Sequence, residues 1–443
     1  MRFLNNVILY AIFATIGTYA VENARLGPAG YAVPYTVPLT GLLSLVVAVR
    51  LCLRRRAVVW APVLAIGIYI ASIVISGIHS ATPNIGLSNK YIAFPLGALV
   101  IGISASEQQT IRRCIWCLLV SSILVFGYGI YGYVTGAVGD PIEHTFHYFG
   151  VTYEAATRNG DQLYFLVPFA ILFAWHSHSM VKGSTFKGLA VLLCLGALAG
   201  GILLSLSRGA WLALMVPPII LLGTAHREKF YFQGAFRKAG TMLVILLFLA
   251  GAAYWSRNGA EMVLERVHTL ATMESVEGGN SNADRILVTE EAVSTMERNW
   301  LGVGVGNARK YLEYVDGTPA NHAENVYLQV ALEQGLLGIL GYGAVVGWVF
   351  LRLRRRLRRG IASWEDWAFF TINVQFMIFG LFNNLDDNMW YWTIFGLGIA
   401  QCNMKPCRRG GERHALPSES RLATPSVQLI EACEARRTKG VKE

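Results

Sequence analysis

The chain has 443 residues, of which 54% are hydrophobic and only 15% are charged, and its mean hydropathy is positive. This composition excludes a soluble globular protein, because a soluble surface cannot accommodate so much apolar side chain. The net charge of +10 does not indicate nucleic-acid binding, since the basic residues lie in short clusters between apolar segments. Anionic membrane lipids are the simpler partner, and no nucleic acid is expected.

Apolar segments recur along the chain at lengths that suit a membrane span. A helix needs roughly 20 apolar residues to cross a hydrocarbon core of about 30 Å, and lipid leaves the backbone groups of an isolated strand unpaired. The sequence therefore predicts an all-α polytopic membrane protein with about 12 transmembrane helices. The predicted spans are 3–20, 31–53, 57–77, 89–105, 114–137, 161–178, 188–206, 209–225, 241–256, 324–351, 366–384 and 389–403.

The basic clusters give these spans an orientation. They occur in every second loop, for example at Arg54 to Arg56, Arg227 to Lys238 and Arg352 to Arg359. An excess of Lys and Arg in short loops marks the cytoplasmic side, so both termini are predicted to be cytoplasmic.

The chain then divides into four parts. These are transmembrane helices 1–9 over 1–256, a large exported loop over 257–323, transmembrane helices 10–12 over 324–403, and a disordered cytoplasmic tail over 404–443.

The exported loop carries apolar residues at helical spacing, which predicts short helices lying on the membrane. Ser281 or Asn282 is a candidate N-cap for one of them. The segment from Gly302 to Gly306 superficially resembles a nucleotide fingerprint, but it follows no strand of a βαβ unit. We interpret it as a tight turn.

Three exported arginines are candidate ligands for phosphate. Arg208 lies between two apolar spans joined by almost no loop, where a charged group needs a partner. A guanidinium suits bidentate binding of phosphate oxygens, although Arg208 could instead reach up to lipid headgroups. Arg158 and Arg285 lie on the same predicted side, and for each of them a salt bridge to the nearby Asp161 or Asp284 is as plausible as a ligand.

Polar residues concentrate where the loop re-enters the membrane. His322 is followed there by Glu324 and Asn325, and a neutral imidazole can take a proton from a hydroxyl near pH 7. The alternative for His322 is a capping or interfacial histidine. Asp386 and Asp387, before the last span, could orient sugar hydroxyls or pair with an arginine.

Together these residues suggest transfer from a lipid diphosphate to a hydroxyl, with arginines neutralising the leaving group and histidine activating the nucleophile. Apart from Asp386 and Asp387, the exported segments show no carboxylate cluster with metal-ligand spacing, so a metal-independent reaction without a cofactor is expected. The seven cysteines avoid the large loop, which makes a disulfide framework unlikely there.

Three motifs, in order, resemble the O-antigen ligase and polymerase superfamily. They are Leu-Ser-Leu-Ser-Arg-Gly-Ala-Trp at 204–211, Asn-Trp-Leu-Gly-Val-Gly-Val-Gly-Asn at 299–307, and His-Ala-Glu-Asn-Val-Tyr-Leu-Gln at 322–329, continuing to Glu-Gln-Gly-Leu-Leu-Gly at 333–338. The motifs cover about 200 to 340, and the predicted span pattern extends the resemblance over most of the chain.

The resemblance implies a membrane glycosyltransferase of the type C class, in the bacterial inner membrane with a periplasmic active site. It would take a glycan from undecaprenyl diphosphate and, in a ligase, give it to lipid A-core oligosaccharide. The family pattern assigns the diphosphate to Arg208 and Arg285 and the role of base to a histidine. Many relatives have that histidine directly before the motif's Asn325, where this chain has Glu324, so His322 is favoured with Glu324 as partner or substitute.

The size of a single exported loop favours a ligase within this superfamily. An O-antigen or exopolysaccharide polymerase and a protein O-oligosaccharyltransferase are the alternatives from the same superfamily. A polysaccharide flippase, which would share the many spans and buried arginines, is the alternative from another class.

Overall fold

The structure is a computed structural model. It describes residues 25–26, 33–34, 59–80, 84–105, 107–120, 147–148, 151–152, 213, 215–217, 219–220, 282–313, 317, 319–320, 322–323, 325–383 and 389–404. All of them belong to the first of two units, Met1–Pro406. The predicted tail, 404–443, lies outside the described residues apart from its first residue.

Helices account for most of the described chain, which confirms the helical class. They are α1 (Trp60–His79), α2 (Ile85–Ser104), α3 (Asn282–Arg298), α4 (Val326–Arg358), α5 (Trp364–Phe379) and α6 (Met389–Asn403). Residues 108–120 are also helical, and a 3₁₀ turn covers Ala308–Lys310. α3 begins at Asn282, so that Asn282 lies inside the helix, and the other candidate cap, Ser281, lies outside the described residues.

Two short antiparallel strand pairs accompany the helices. Arg25–Leu26 (β1) pairs with Val33–Pro34 (β2), and His147–Tyr148 (β3) pairs with Val151–Thr152 (β4). The second pair lies between the spans predicted at 114–137 and 161–178. The first corrects a boundary, because the helix predicted over 31–53 cannot begin at residue 31 when Val33–Pro34 is a strand.

Two of the described helices, α1 and α4, are long and apolar enough to cross a membrane. They correspond to the spans predicted at 57–77 and 324–351. α2, α5 and α6 occupy the spans predicted at 89–105, 366–384 and 389–403. The full count of about 12 spans stays a prediction.

Glycines allow these helices to approach closely. A Cβ added at Gly341 of α4 would lie 2.6 Å from the backbone nitrogen of Tyr69 in α1. One added at Gly396 of α6 would lie 2.5 Å from the carbonyl oxygen of Ala98 in α2. Small residues at such contacts are the usual means of packing helices in lipid, where dispersion contacts replace the hydrophobic effect.

A buried ion pair joins the basic end of α4 to the start of α5. The Arg356 guanidinium donates to Asp366 Oδ1 at 2.9 Å and to the carbonyl oxygens of Gln401 and Cys402 at 2.8 and 3.0 Å. Ser363 caps α5 in a reciprocal arrangement with Asp366. Because Arg356 and Asp366 are both buried, each satisfies a charge that would be costly to leave alone.

α4 is broken at Gly335, whose φ of 71° and ψ of −165° are not helical. The part after the break, 336–358, is by itself about 34 Å long, which is enough to cross a membrane. The predicted span 324–351 therefore combines a separate short helix, 326–334, with the beginning of the longer helix after the break.

The short helix does not continue the axis of the long one. From Val326 to Arg356 a straight helix would measure about 45 Å. Val326 N donates to Gly380 O at 2.9 Å, and Arg356 is bonded to Asp366. Asp366 and Gly380 are only about 21 Å apart along α5. The distance from Val326 to Arg356 is therefore at most the length between Asp366 and Gly380 plus the lengths of these two contacts, or about 40 Å. This distance is shorter than a straight helix, so α4 must bend at Gly335 by an angle on the order of 50° or more.

Candidate functional site

The described part of the loop predicted at 257–323 has its own small core, which we call the loop core. It unites α3, the 3₁₀ turn and the start of α4 through Val288, Ala292, Val303, Ala308, Leu312, Ala320, Ala323 and Leu332. The side chains of Leu328 and Met296 pack against it. The loop is thus folded onto the short helix of α4.

The segment 299–308, which we call the glycine loop, binds the break in α4 through backbone groups. Val303 N donates to Leu332 O at 2.9 Å, and Leu336 N donates to Trp300 O at 3.0 Å. Gly302, Gly304 and Gly306 all have positive φ. A Cβ at Gly302 would lie 2.5 Å from Glu333 O, so no other residue fits this approach. The tight turn predicted here is confirmed.

Glu333 is the centre of this contact. Its side chain is only 1% exposed, and its Oε1 accepts hydrogen bonds from Gly306 N at 2.9 Å and from Ala308 N at 3.4 Å. Within the same loop, Asn307 Nδ2 donates to Ser80 Oγ at 2.8 Å. The glycine loop therefore joins the end of α1 to the break in α4.

His322 lies directly before a residue that α4 holds in place. Ala323 N donates to Gln329 Oε1 at 2.8 Å, and both of these residues are buried. His322 itself is half-buried. Asn325 caps α4, because its Oδ1 accepts from Tyr327 N at 2.9 Å and from Leu328 N at 3.2 Å. Its side-chain oxygen thus has a structural task beside the predicted contact with sugar.

Arg285 lies on the face of α3 that points to the loop core. It precedes Val288 by three residues and Ala292 by seven, which is the spacing of one helix face. Arg285 is half-buried, whereas Ile286 on the opposite face is exposed. The structure therefore places Arg285 and the segment that carries His322 on the same small folded unit.

The other predicted site residues, Arg208, Arg158, Glu324, Asp386 and Asp387, lie outside the described residues. One contact involves the described residue that comes next after Arg208 in the sequence. Gln375 Nε2 of α5 donates to Ala213 O at 3.1 Å, and Ala213 follows Arg208 by five positions.

This contact lies near the start of α4. Gln375 precedes Gly380, whose carbonyl binds Val326 N, by about one and a half helical turns. Ala213 and Val326 are thus both bound near the end of α5.

Among the described residues, no group of three or more His, Cys, Asp or Glu side chains is arranged to hold a metal ion. The predicted metal-independent reaction stays a prediction, since several candidate carboxylates lie outside that part of the chain.

A comparison with known families decides which superfamily these features represent. Residues 189–343 match the family described as O-antigen ligase. Over these residues the chain is similar to an O-antigen ligase domain. The resemblance inferred from the three motifs is thereby confirmed, and the superfamily is one of membrane-integral enzymes of the glycosyltransferase type. No curated protein matches the chain.

The O-antigen ligase domain contains five of the predicted site residues, namely Arg208, Arg285, His322, Glu324 and Asn325. Arg158, Asp386 and Asp387 lie beyond its limits. The match covers the predicted diphosphate and base positions, and the roles of all eight residues stay predictions.

Sequence reasoning assigned no role to Gln329 and Glu333, which bind the loop to α4. A signal was present, because Glu333 is an acidic residue inside a predicted membrane span, where an ionisable group needs a specific partner. Its partners are backbone amides 25 and 27 residues earlier, and such a pairing cannot be derived from spacing.

Proposed function

We propose that the protein is an O-antigen ligase, which transfers a polysaccharide from undecaprenyl diphosphate to lipid A-core oligosaccharide during lipopolysaccharide biosynthesis. The observation that carries the proposal is the O-antigen ligase match over 189–343, which includes the candidate phosphate-binding and base residues. The packing of Arg285 and the His322 segment around one loop core supports it.

In this proposal Arg208 and Arg285 bind the diphosphate, with Arg158 as a further contact. An acceptor hydroxyl attacks the anomeric carbon, and a new glycosidic bond forms as the bond to the diphosphate oxygen breaks. The electron pair leaves with undecaprenyl diphosphate, where guanidinium groups stabilise the developing charge. His322 takes the proton of the hydroxyl, with Glu324 as its partner or substitute, while Asn325, Asp386 and Asp387 contact sugar.

The proposal includes a topology of about 12 spans in the inner membrane, with 1–256 and 324–403 as the helical parts and 257–323 in the periplasm. The charge of α4 supports this orientation. Its last turn contains Arg355, Arg356 and Arg358, whereas His322 precedes its other end. Lys and Arg are retained on the cytoplasmic side, which puts the start of α4 on the periplasmic side.

Reconstitution tests the chemistry directly. Purified protein in lipid vesicles receives undecaprenyl-diphosphate-linked glycan and lipid A-core, and the transferred product is measured. We expect Arg208→Ala and His322→Ala each to lower the rate at least about 100-fold. His79→Ala and Arg309→Ala serve as controls, because both residues are exposed in the described structure. Equal rates for all four variants would contradict the assigned roles.

Deletion of the gene separates the alternatives. A ligase predicts free lipid A-core together with accumulated lipid-linked polymer. Collapse of the polymer to single repeats would indicate a polymerase, and loss of glycan from periplasmic proteins an O-oligosaccharyltransferase. Failure of the purified protein to form any bond while it moves the lipid-linked substrate across vesicles would indicate a flippase.

A further inference from the structure

Two buried side chains of the short helix in α4 bind the backbone of the exported loop at two separate places. Glu333 binds the amides of Gly306 and Ala308, and Gln329 binds the amide of Ala323. The two side chains are four residues apart, so they lie on one face of the helix, one turn from each other. Both are at most 2% exposed.

We propose that Glu333 and Gln329 are positioning residues that set the place of His322 relative to the membrane helices. This inference rests on the proposed function, in which His322 is the base. Neither side chain takes part in the reaction; each acts through the loop backbone that it holds.

The chemistry of these contacts explains why an acid stands at 333. A carboxylate accepts stronger hydrogen bonds from backbone amides than a neutral group does, and here one oxygen accepts two. The three glycines with positive φ let those amides turn toward a single point. The glycine loop is therefore built around the carboxylate as much as around the break at Gly335.

The effect on His322 follows from its distance along the chain. Only one peptide unit separates it from the amide of Ala323 that Gln329 holds. Between Ala308 and Ala323 the chain packs on the loop core through Leu312 and Ala320. Fixing both ends of this stretch on one helix restricts the imidazole, and a displacement of about 1 Å in a reacting group can cost a hundredfold in rate.

The alternative is that Glu333 and Gln329 contribute only to folding. Gln334 provides the matched control, because it is equally buried and also makes side-chain hydrogen bonds, but to Ser72 and Tyr69 of α1. Methionine has nearly the volume of glutamate and glutamine and accepts only weak hydrogen bonds. Glu333→Met, Gln329→Met and Gln334→Met therefore remove different contacts at similar cost in packing.

Steady-state kinetics in vesicles test the proposal. We expect Glu333→Met and Gln329→Met to lower kcat about 10- to 100-fold, with the KM for the lipid-diphosphate donor changed less than about threefold. Glu333→Gln should restore most of kcat, because its amide oxygen can still accept from Gly306. Gln334→Met should keep kcat within about threefold of the wild type. Equal kcat losses in all three Met variants, or no loss in Glu333→Met, would overturn the positioning role.

Hydrogen exchange provides the second measurement and separates this proposal from the proposed function. The amides of Gly306 and Ala308 should exchange faster in Glu333→Met, and that of Ala323 faster in Gln329→Met, with neither changed in Gln334→Met. If the wild type forms no product, the proposed function fails, and exchange alone decides whether these side chains hold the loop. Unchanged exchange of these amides would overturn the inference that the two side chains hold the loop. Should Glu333→Met fail to fold, Gln329→Met carries the same test.

Discussion

Replacing Gly335 by alanine should open the contact between the glycine loop and α4. The φ of 71° and ψ of −165° belong to a region that is essentially restricted to glycine, and another residue there costs about 1–3 kcal/mol. The added Cβ would lie 2.7 Å from Gly302 N and closer still to Trp300 O and Leu301 C. Relieving this clash breaks the bonds Val303 N to Leu332 O and Leu336 N to Trp300 O, at about 1 kcal/mol each.

The total is about 3–5 kcal/mol of local stability, which corresponds to amide exchange at least about 100-fold faster, since 1.4 kcal/mol is tenfold. Native-state hydrogen exchange of Val303 and Leu336 in detergent measures it. Gly343→Ala is the control, because a Cβ at Gly343 meets nothing within 4 Å in the same helix. If Gly335→Ala exchanged as slowly as Gly343→Ala, the break would not depend on glycine and our account of the loop contact would fail.

Three further changes test other contacts. Gly341→Ala should push α1 from α4 and cost about 1–3 kcal/mol in stability, because its Cβ would lie 2.6 Å from Tyr69 N. Its Tm should be lower than that of Gly347→Ala, and an equal Tm would contradict the close approach of the two helices. Arg356→Met should lower the free energy of unfolding by about 3–5 kcal/mol, because buried Asp366 loses its partner. The exposed Arg354 provides the control, since Arg354→Met should lower it little. Similar Tm values for the two variants in thermal unfolding would refute a stabilising ion pair. Asn325→Ala should lower the stability by about 1 kcal/mol through loss of the helix cap, and Asn325→Asp should keep that stability. An Asp variant that is stable but inactive would establish the predicted sugar contact.

Part of the candidate site could be predicted from the sequence. His322 could be selected because polar residues concentrate at the edge of an apolar segment, and Arg285 because it opens a helix that was predicted from apolar residues at helical spacing. The turn from Gly302 to Gly306 was predicted from glycine spacing. All of these signals are local, since each depends on neighbours within a few residues.

What the tertiary structure added is non-local. Glu333 accepts from Gly306 and Ala308, Asn307 from the loop reaches Ser80, and Gln375 reaches Ala213 across more than a hundred residues. Hydrogen bonds of this kind leave no periodicity in the sequence, because their partners are chosen by how the helices pack.

The helical class and the O-antigen ligase motifs were determined by the sequence alone, because apolar composition and short motifs are properties of the chain itself. The break of α4 was not. An apolar run around a glycine predicts one continuous span, since glycine is tolerated in membrane helices. Only the glycine loop, which occupies the space where a Cβ would stand at Gly335, turns that span into two helices and directs the shorter one toward the end of α5.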